Sequence, residues 1–573
     1  MKKIFSIAIA SLAFLTLGSC SDSDYTDKYK DPGKTSTANV PDAFTAVLAK
    51  GNTWMNPVYY RYYCQMSTSG VFSGILGNSN SKGRFMGAGE GRYDDRWKNF
   101  YDMLTQYRLL EKTYNDLPEA QQAANKVFLM AGRTLIDAQL HEMLSLFGSI
   151  PFKGAGTLWQ TGDYAAAKNQ CVYDDDVTLY RQILADLKEA GDYFVNVDNN
   201  SMTSFARKDY TTASGNSQMW REYINSLRLR IATHLATNGD LTNEAHAAIK
   251  EILDNPSQYP VIETNDDNMG VTANTSNDTF NWGKSLSQAL HGGYAPSQAV
   301  LDAMNLPADG TPDANTDPRI NAMLDANPDG QYITYDVTKI NSVITNIADK
   351  KESAYKEKGW TGAGYYCTLD SLAIGGYAEY SGNANTFGLW VSAAEVKLLT
   401  SEAYLMGYGV AKDEAKAKQA FIDGVVLSTE YYWAQKNGSS LFKAGNDSYK
   451  GYRPLVQPTD AEVLAYAEKI WKPTQETVCT QLWLNYDWTN MLEAWNVVRR
   501  TGFPLVTFAT DTQMSSYPTP PHRLPYPNDE STYNANNYKD AVAKYYKEST
   551  GYYTKLFWAK DGDYYKMVTA TNN

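Results

Sequence analysis

Apolar residues recur at intervals of three and four along several stretches of this chain. That spacing admits amphipathic helices and little else. Ala124, Val127, Phe128, Ala131, Leu135 and Ala138 mark one face of a helix that Asp116-Leu117-Pro118 opens and that Gly148 and Pro151 stop. Val177, Tyr180, Leu184 and Leu187 predict a second, starting near Asp176 and ending at Gly191. Trp220, Ile224, Leu227, Ile231 and Leu235 predict a third, closed by Asn238-Gly239. Thr242 is expected to cap a fourth, with Ala245, Ala248, Ile249 and Ile252 inside. The pattern returns where Ser392 and Glu395 have the spacing of a capping box. Val396, Leu399, Ala403 and Met406 follow on one face, and Ala417, Ala420 and Phe421 mark a partner beyond Gly407 and Gly409.

Small alanines at facing positions let paired helices approach closely. The expected fold class is therefore mainly α, with helix pairs similar to tetratricopeptide repeats as scaffold; an unrelated bundle is the alternative. Long stretches of weak period separate the pairs: 51–97, 256–390 and the proline-rich 502–540. Loops this long are usually functional or disordered, and their aromatic content argues for ordered, ligand-bearing segments.

The first residues read as an address. Lys2 and Lys3 precede an apolar run, Ile4 to Leu17, shorter than the roughly 20 residues a spanning helix needs. The run ends Leu17-Gly18-Ser19-Cys20, similar to a bacterial lipobox, in which the cysteine sulfur takes a diacylglyceryl group. The expectation is a lipoprotein signal peptide over 1–19, lipid attachment at Cys20, a flexible tether over 20–40 and one helical domain over 41–573. An ordinary secretory signal with a chance cysteine is the alternative. Cys64, Cys171, Cys367 and Cys479 are too widely spaced for a CxxC motif and are expected as isolated buried thiols.

With Lys+Arg 52 against Asp+Glu 64, the chain carries a formal charge of -12, which argues against a nucleic-acid partner. Catalytic signatures are not apparent. His141-Glu142 is followed by Met143-Leu144-Ser145 rather than a zinc-protease continuation, and Gly87 to Gly91 lacks dinucleotide-loop spacing. Paired carboxylates of a glycoside hydrolase stay open, because 64 acidic residues allow many pairs in space. Asp309, Asp313, Asn315 and Asp317 crowd one loop without the EF-hand pattern, so a solvated turn is the preferred reading there. No cofactor or metal is called for.

The sharpest signal is an ordered series of short pieces. Leu146-Phe147-Gly148-Ser149-Ile150-Pro151-Phe152 comes first, then Asn225 to Arg230 and Ser392 to Tyr404. Gln481 to Asn485, Glu493-Ala494-Trp495, Arg499-Arg500-Thr501-Gly502-Phe503-Pro504 and Pro521 to Pro527 complete it. Together with the lipobox, this series resembles the SusD/RagB family, in particular its second SusD-like branch. The resemblance implies a lipid-anchored outer-membrane protein facing the exterior. Such a protein captures an oligosaccharide, or in some members a peptide, and delivers it to a SusC-like TonB-dependent transporter without transforming it. Arg499 to Gly502 and Arg523 to Pro527 are read as architecture: a helix end with its left-handed glycine, and a rigid turn.

Sugars offer flat C–H faces to aromatic rings and hydroxyls to planar polar groups. The expected ligand residues are Arg84, Phe85 and Tyr93 from the early loop. Trp282, Tyr294, Trp360 and Tyr365 are the choices from the stretch between the helix pairs. Gly362 and Gly364 would let the last of these expose rings at a loop tip. Trp97 and Tyr101, four apart in a helical run, are read as core.

Overall fold

The computed structural model describes residues 38–572 except 78–79, 86–92, 162–169, 200–201, 274–294, 360–363, 375–384 and 441–456. Its first helices are α1 (Val40–Met55), α2 (Tyr93–Asn115), α3 (Glu119–Phe147), α4 (Asp176–Val195), α5 (Ser217–Leu235) and α6 (Thr242–Asp254). Next come α7 (Asn341–Glu357), α8 (Ala393–Met406), α9 (Glu414–Gly438), α10 (Asp460–Ile470), α11 (Gln475–Tyr486), α12 (Met491–Thr501) and α13 (Ala535–Tyr545). Sequence neighbours pack on one another: α2 on α1 and α3, α4 on α3 and α5, α6 on α5, α9 on α8. α8 also meets α11, α11 meets α12, and α5 joins the two groups through α8. This is the expected mainly α scaffold of helix pairs. Among the described residues no helix is long and apolar enough to cross a membrane.

The apolar stripes find the core as expected. Val127, Phe128, Ala131 and Leu135 are buried, as are Tyr180, Leu184 and Leu187 and the whole stripe of α5. Each fully buried large side chain contributes about 1.5–3 kcal/mol. Ala124 is exposed, because it lies in the first turns of α3 before that helix reaches its neighbours.

Two helices exceed the one-face pattern. α5 and α12 are buried nearly all round, α12 at every residue. A lone buried charge costs several kcal/mol, and one arginine on each helix is closed off inside by a carboxylate. Arg500 of α12 makes a two-pronged pair with Glu402 of α8, at 2.6 and 2.5 Å. Arg230 of α5 does the same with Glu395, and adds the carbonyl of Trp390 at 2.7 Å. Arg319 pairs with Asp317 at 2.9 and 2.6 Å, both fully buried.

The caps correct several expectations. α3 begins after Pro118 without a side-chain cap, and Asp116 instead accepts from Lys112 at 2.7 Å. α4 is capped by Asp175 and runs past Gly191 to Val195. Thr242 is the first residue of α6 rather than its cap; its hydroxyl donates to the Gly239 carbonyl. Ser392 does cap α8 at 3.1 Å, but the Glu395 carboxylate is spent on Arg230, so the box is half closed. A complete capping box sits instead at Thr459 and Glu462.

The weakly periodic stretches hold more helix than their sequence suggests. Residues 51–97 include Tyr59–Ser67 and Ser69–Phe72, and 256–390 include α7. α7 buries only Ile344 and Tyr355, so it carries no stripe to read. The stretch containing it is closed at its base by Met269–Thr272, which pairs antiparallel with Phe387–Val391. We refer to 273–386 as the insert. Near the C-terminus, Val506–Ala509 pairs in parallel with Tyr565–Val568.

Candidate functional site

The early loop lies against the insert. The Gly77 amide donates to the Ala295 carbonyl at 2.7 Å, and the Ser297 amide to the Ile75 carbonyl at 3.1 Å. Leu76 and Pro296 form an antiparallel bridge. A Cβ at Gly77 would sit 2.9 Å from the Pro296 oxygen and 3.0 Å from the Tyr335 ring, closer than side chains tolerate. Asn80, at φ +58, donates to the carbonyls of Val337 (3.0 Å) and Lys339 (2.6 Å). Asparagine tolerates that left-handed conformation better than most residues.

At this junction three half-buried tyrosines meet. Tyr335 and Tyr366 contact edge to face with centroids 4.6 Å apart, and Tyr365 and Tyr366 lie 5.1 Å apart. The cluster is fastened from below. Tyr366 donates its hydroxyl to the Ile344 carbonyl of α7 at 2.9 Å, and Asn327 donates to the Tyr365 carbonyl at 3.1 Å. The Tyr365 amide donates to Glu352 at 3.2 Å, while the Lys351 ammonium stands 5.7 Å from the Tyr365 ring centre. Tyr355 donates to Asp329 at 2.9 Å beside them. Burial, with help from the neighbouring phenols, pushes the Tyr366 hydroxyl up to about 12, so it stays neutral and a hydrogen-bond donor. The arrangement offers ring faces backed by carboxylate, amide and ammonium groups, the chemistry a flat polyhydroxylated ligand requires.

The residues expected from sequence divide sharply. Tyr365 belongs to this cluster. Trp282, Tyr294 and Trp360 lie outside the described residues, as does Cys20 with the signal and most of the tether. Arg84, Phe85 and Tyr93 are corrected to architecture. Phe85 is 0% and Tyr93 3% exposed; they pack edge-on to Phe508 and against Phe147. Rings with no accessible face cannot stack on a sugar. The Arg84 side chain is 6% exposed: it donates to the carbonyls of Ser81 (3.0 Å) and Ala509 (2.6 Å) and lies 3.9 Å from Asp511. It therefore stitches the early loop to the strand Val506–Ala509. Burial pulls its guanidinium below the ordinary range, partly offset by Asp511.

Sequence reading missed Tyr335 and Tyr366. The adjacent pair Tyr365-Tyr366 was visible, but nothing local places Tyr335, thirty residues away in a loop, against it. Asp309, Asp313 and Asn315 are exposed, as the solvated-turn reading expects, whereas Asp317 is fully buried. Asp313 holds its own turn through Asn315 and Thr316, and Asp317 is taken by Arg319. Trp97 is core, 6% exposed, with its indole N–H on Glu530. Gly502 ends α12 at φ +79, as the motif implied. Cys64, Cys367 and Cys479 are buried free thiols, and Cys171 is half-buried.

A family model described as starch-binding associating with outer membrane, of the second SusD-like type, matches residues 50–527. The chain belongs to the SusD-like family. Solved structures agree on the fold. A chitin-binding protein is 19% identical, superposes with a TM-score of 0.66, and the match covers 91% of this chain and 99% of that one. A chitin-binding SusD homologue from Flavobacterium johnsoniae is 16% identical, with a TM-score of 0.62 and coverage of 92% and 99%. A SusD homologue from Bacteroides thetaiotaomicron is 18% identical, with a TM-score of 0.57 and coverage of 92% and 100%. None of the curated protein sequences compared with this SusD-like chain matches it.

Proposed function

We propose that this SusD-like protein is a surface nutrient-binding lipoprotein, anchored in the outer membrane through a lipid on Cys20. It captures oligosaccharides and delivers them to a SusC-like TonB-dependent transporter, binding its cargo without catalysis. The observation that carries the reading is the cluster of Tyr335, Tyr365 and Tyr366 where the early loop meets the insert. Trp282, Tyr294 and Trp360 flank that junction in sequence and are proposed as further contacts. Tyr294 precedes Ala295, which holds Gly77, and Trp360 lies five residues before Tyr365. Family membership supports an outer-membrane-associated binder of polysaccharide. The two chitin-binding relatives make β-linked N-acetylglucosamine oligomers the first probe, and maltooligosaccharides the second.

The test is calorimetric titration of the mature chain with both oligomer series, alongside a reducing-end assay. Binding without release of reducing ends, lost at least about tenfold in Tyr365→Ala and Tyr366→Ala, is the expected result. Saccharide turnover by the purified chain, or full affinity in both variants, sinks the reading. Capture of a peptide and no glycan would move the cargo class while leaving the site in place.

A further inference from the structure

A second constellation lies inside the scaffold, on helices that contribute nothing to the tyrosine cluster. His141 of α3, His234 of α5 and Glu493 of α12 each offer one ligand atom, and these atoms all lie within 4.8 Å of one another. The three residues are 1%, 3% and 4% exposed. His141 Nε2 is 2.9 Å from Glu493 Oε1, and the two imidazoles meet edge to face with centroids 5.0 Å apart. Neither ring nitrogen of His234 has a hydrogen-bond partner, and neither does Nδ1 of His141. Buried imidazole nitrogens are ordinarily bonded, so three orphaned ones side by side ask for an occupant.

We propose that His141, His234 and Glu493 form a binding site for a divalent transition-type cation of the Zn²⁺ class. Two imidazoles and one carboxylate are borderline donors, which favour Zn²⁺ over the oxygen-seeking Ca²⁺ and Mg²⁺. Bonds of about 2.0 Å in a tetrahedron place ligand atoms roughly 3.3 Å apart. The His141–Glu493 contact is already near that edge length, and the His234 ligand atom, within 4.8 Å of the other two, has to draw closer to complete the face. The three ligands leave a fourth position to water.

The surrounding charges set how tightly the ion is held. Arg230 and Arg500 are each closed off by a carboxylate, Glu395 and Glu402. Arg499 is not: it bonds Asn496 and the His522 carbonyl, and lies over the rings of Trp495 and Trp558. Trp558 in turn packs against His234, tilted by 57°, with centroids 3.9 Å apart. An uncompensated guanidinium beside the site opposes a dication, so the ion is exchangeable with chelator rather than locked in. Once bound, it joins α3, α5 and α12, which ties stability to occupancy.

The experiment uses the tag-free full-length chain purified in detergent, stripped with EDTA, and titrated with Zn²⁺ alone and Co²⁺ alone. One Zn²⁺ retained per chain, a raised melting temperature, and the visible bands of four-coordinate Co²⁺ are expected, with no response to Mg²⁺ or Ca²⁺. His234→Gln and Glu493→Gln each weaken binding by about tenfold or more. A wild-type chain that shows neither Co²⁺ bands nor a melting shift overturns the proposal. So does Zn²⁺ bound with unchanged affinity in a folded His234→Gln protein, which would place the ion on surface groups. Metal binding is read without any glycan, so Tyr365→Ala leaves it unchanged whatever becomes of the ligand site.

Discussion

The end of α12 and the tyrosine junction of the insert use the same residue types for opposite ends. At α12, aromatic and cationic groups are fully buried and closed on one another. Arg500 is locked to Glu402, and Arg499 is sandwiched against Trp495 at 3.7 Å from its ring centre. At the junction, Tyr335, Tyr365 and Tyr366 touch one another but each stays partly open, held mainly through backbone contacts and one helix. Burial, not residue type, separates the scaffold from the proposed ligand surface. A ring surrounded by neighbours stabilises the fold; a ring with one free face can recognise something. Substitutions should therefore split cleanly into those that move stability and those that move affinity.

The largest effects belong to the scaffold. Arg500→Ala leaves Glu402 buried without a counter-charge, with Gln475 as a neutral donor, and is expected to cost about 3–5 kcal/mol in urea unfolding. Phe85→Ala opens a cavity beside Phe508 and falls in the same range of about 3–5 kcal/mol, although the residue lies in the early loop. If the surviving folded Phe85→Ala protein bound glycan normally, the separation drawn above would stand. A specific loss of affinity at unchanged stability would return Phe85 to the ligand face.

Next is the pH dependence of the scaffold. Asp487, between α11 and α12, is fully buried, and no side chain hydrogen-bonds either carboxylate oxygen. Burial pushes its carboxyl from 3.8 up to about 7, with the nearby Trp488 amide and Arg319 pulling the other way. The folded state thus keeps a proton that the unfolded chain gives up. The stability this contributes is complete below 3.8 and is lost as pH rises through about 7. Asp487→Asn should flatten that slope between pH 4 and 8, a change of up to about 4 kcal/mol across the window. Melting temperatures of both proteins at four pH values decide it; parallel curves would mean that Asp487 is ionised throughout.

At the junction the expected pattern reverses. Tyr365→Ala should lower stability by about 1 kcal/mol or less, since the residue is only half-buried. It should cost about 1.4 kcal/mol in binding, a tenfold loss. Calorimetry and chemical unfolding on the same preparation give both numbers, and equal losses in the two would erase the contrast between the regions.

Sequence made the scaffold legible because its information is periodic. The stripes of α3 to α6 and of α8 and α9 follow from spacing alone, and the motif at Arg499 to Gly502 was correctly read as a helix end. What stayed hidden depended on distant partners. α7 has no stripe, because it buries only Ile344 and Tyr355. Glu395 looks like half of a capping box until Arg230, far away in sequence, takes its carboxylate. Arg84, Phe85 and Tyr93 sit in a loop composition that suits a ligand surface, yet the C-terminal strand Val506–Ala509 and α3 cover them. Local sequence cannot reveal which loops will be covered. Tyr335 shows the converse, a ligand-face candidate that only the closure of the insert on the early loop brings to Tyr366.

The smallest expected effect is the sharpest probe of that closure. Gly77 touches no ligand candidate except through packing, yet an added methyl would press on the Pro296 carbonyl and the Tyr335 ring, at 2.9 and 3.0 Å. Neither neighbour can yield without disturbing the bridge between Leu76 and Pro296. Gly77→Ala should therefore shift Tyr335 relative to Tyr366 and weaken glycan binding severalfold, under about 1 kcal/mol, with a modestly lowered melting temperature. Gly330 is the matched control: it also lies in the insert, at φ +77, but a Cβ there meets nothing within 4 Å. Gly330→Ala would strain only its own turn. If both substitutions lowered affinity alike, general loosening of the insert would account for the loss. If only Gly77→Ala does so, the contact between the early loop and Tyr335 is what sets the platform.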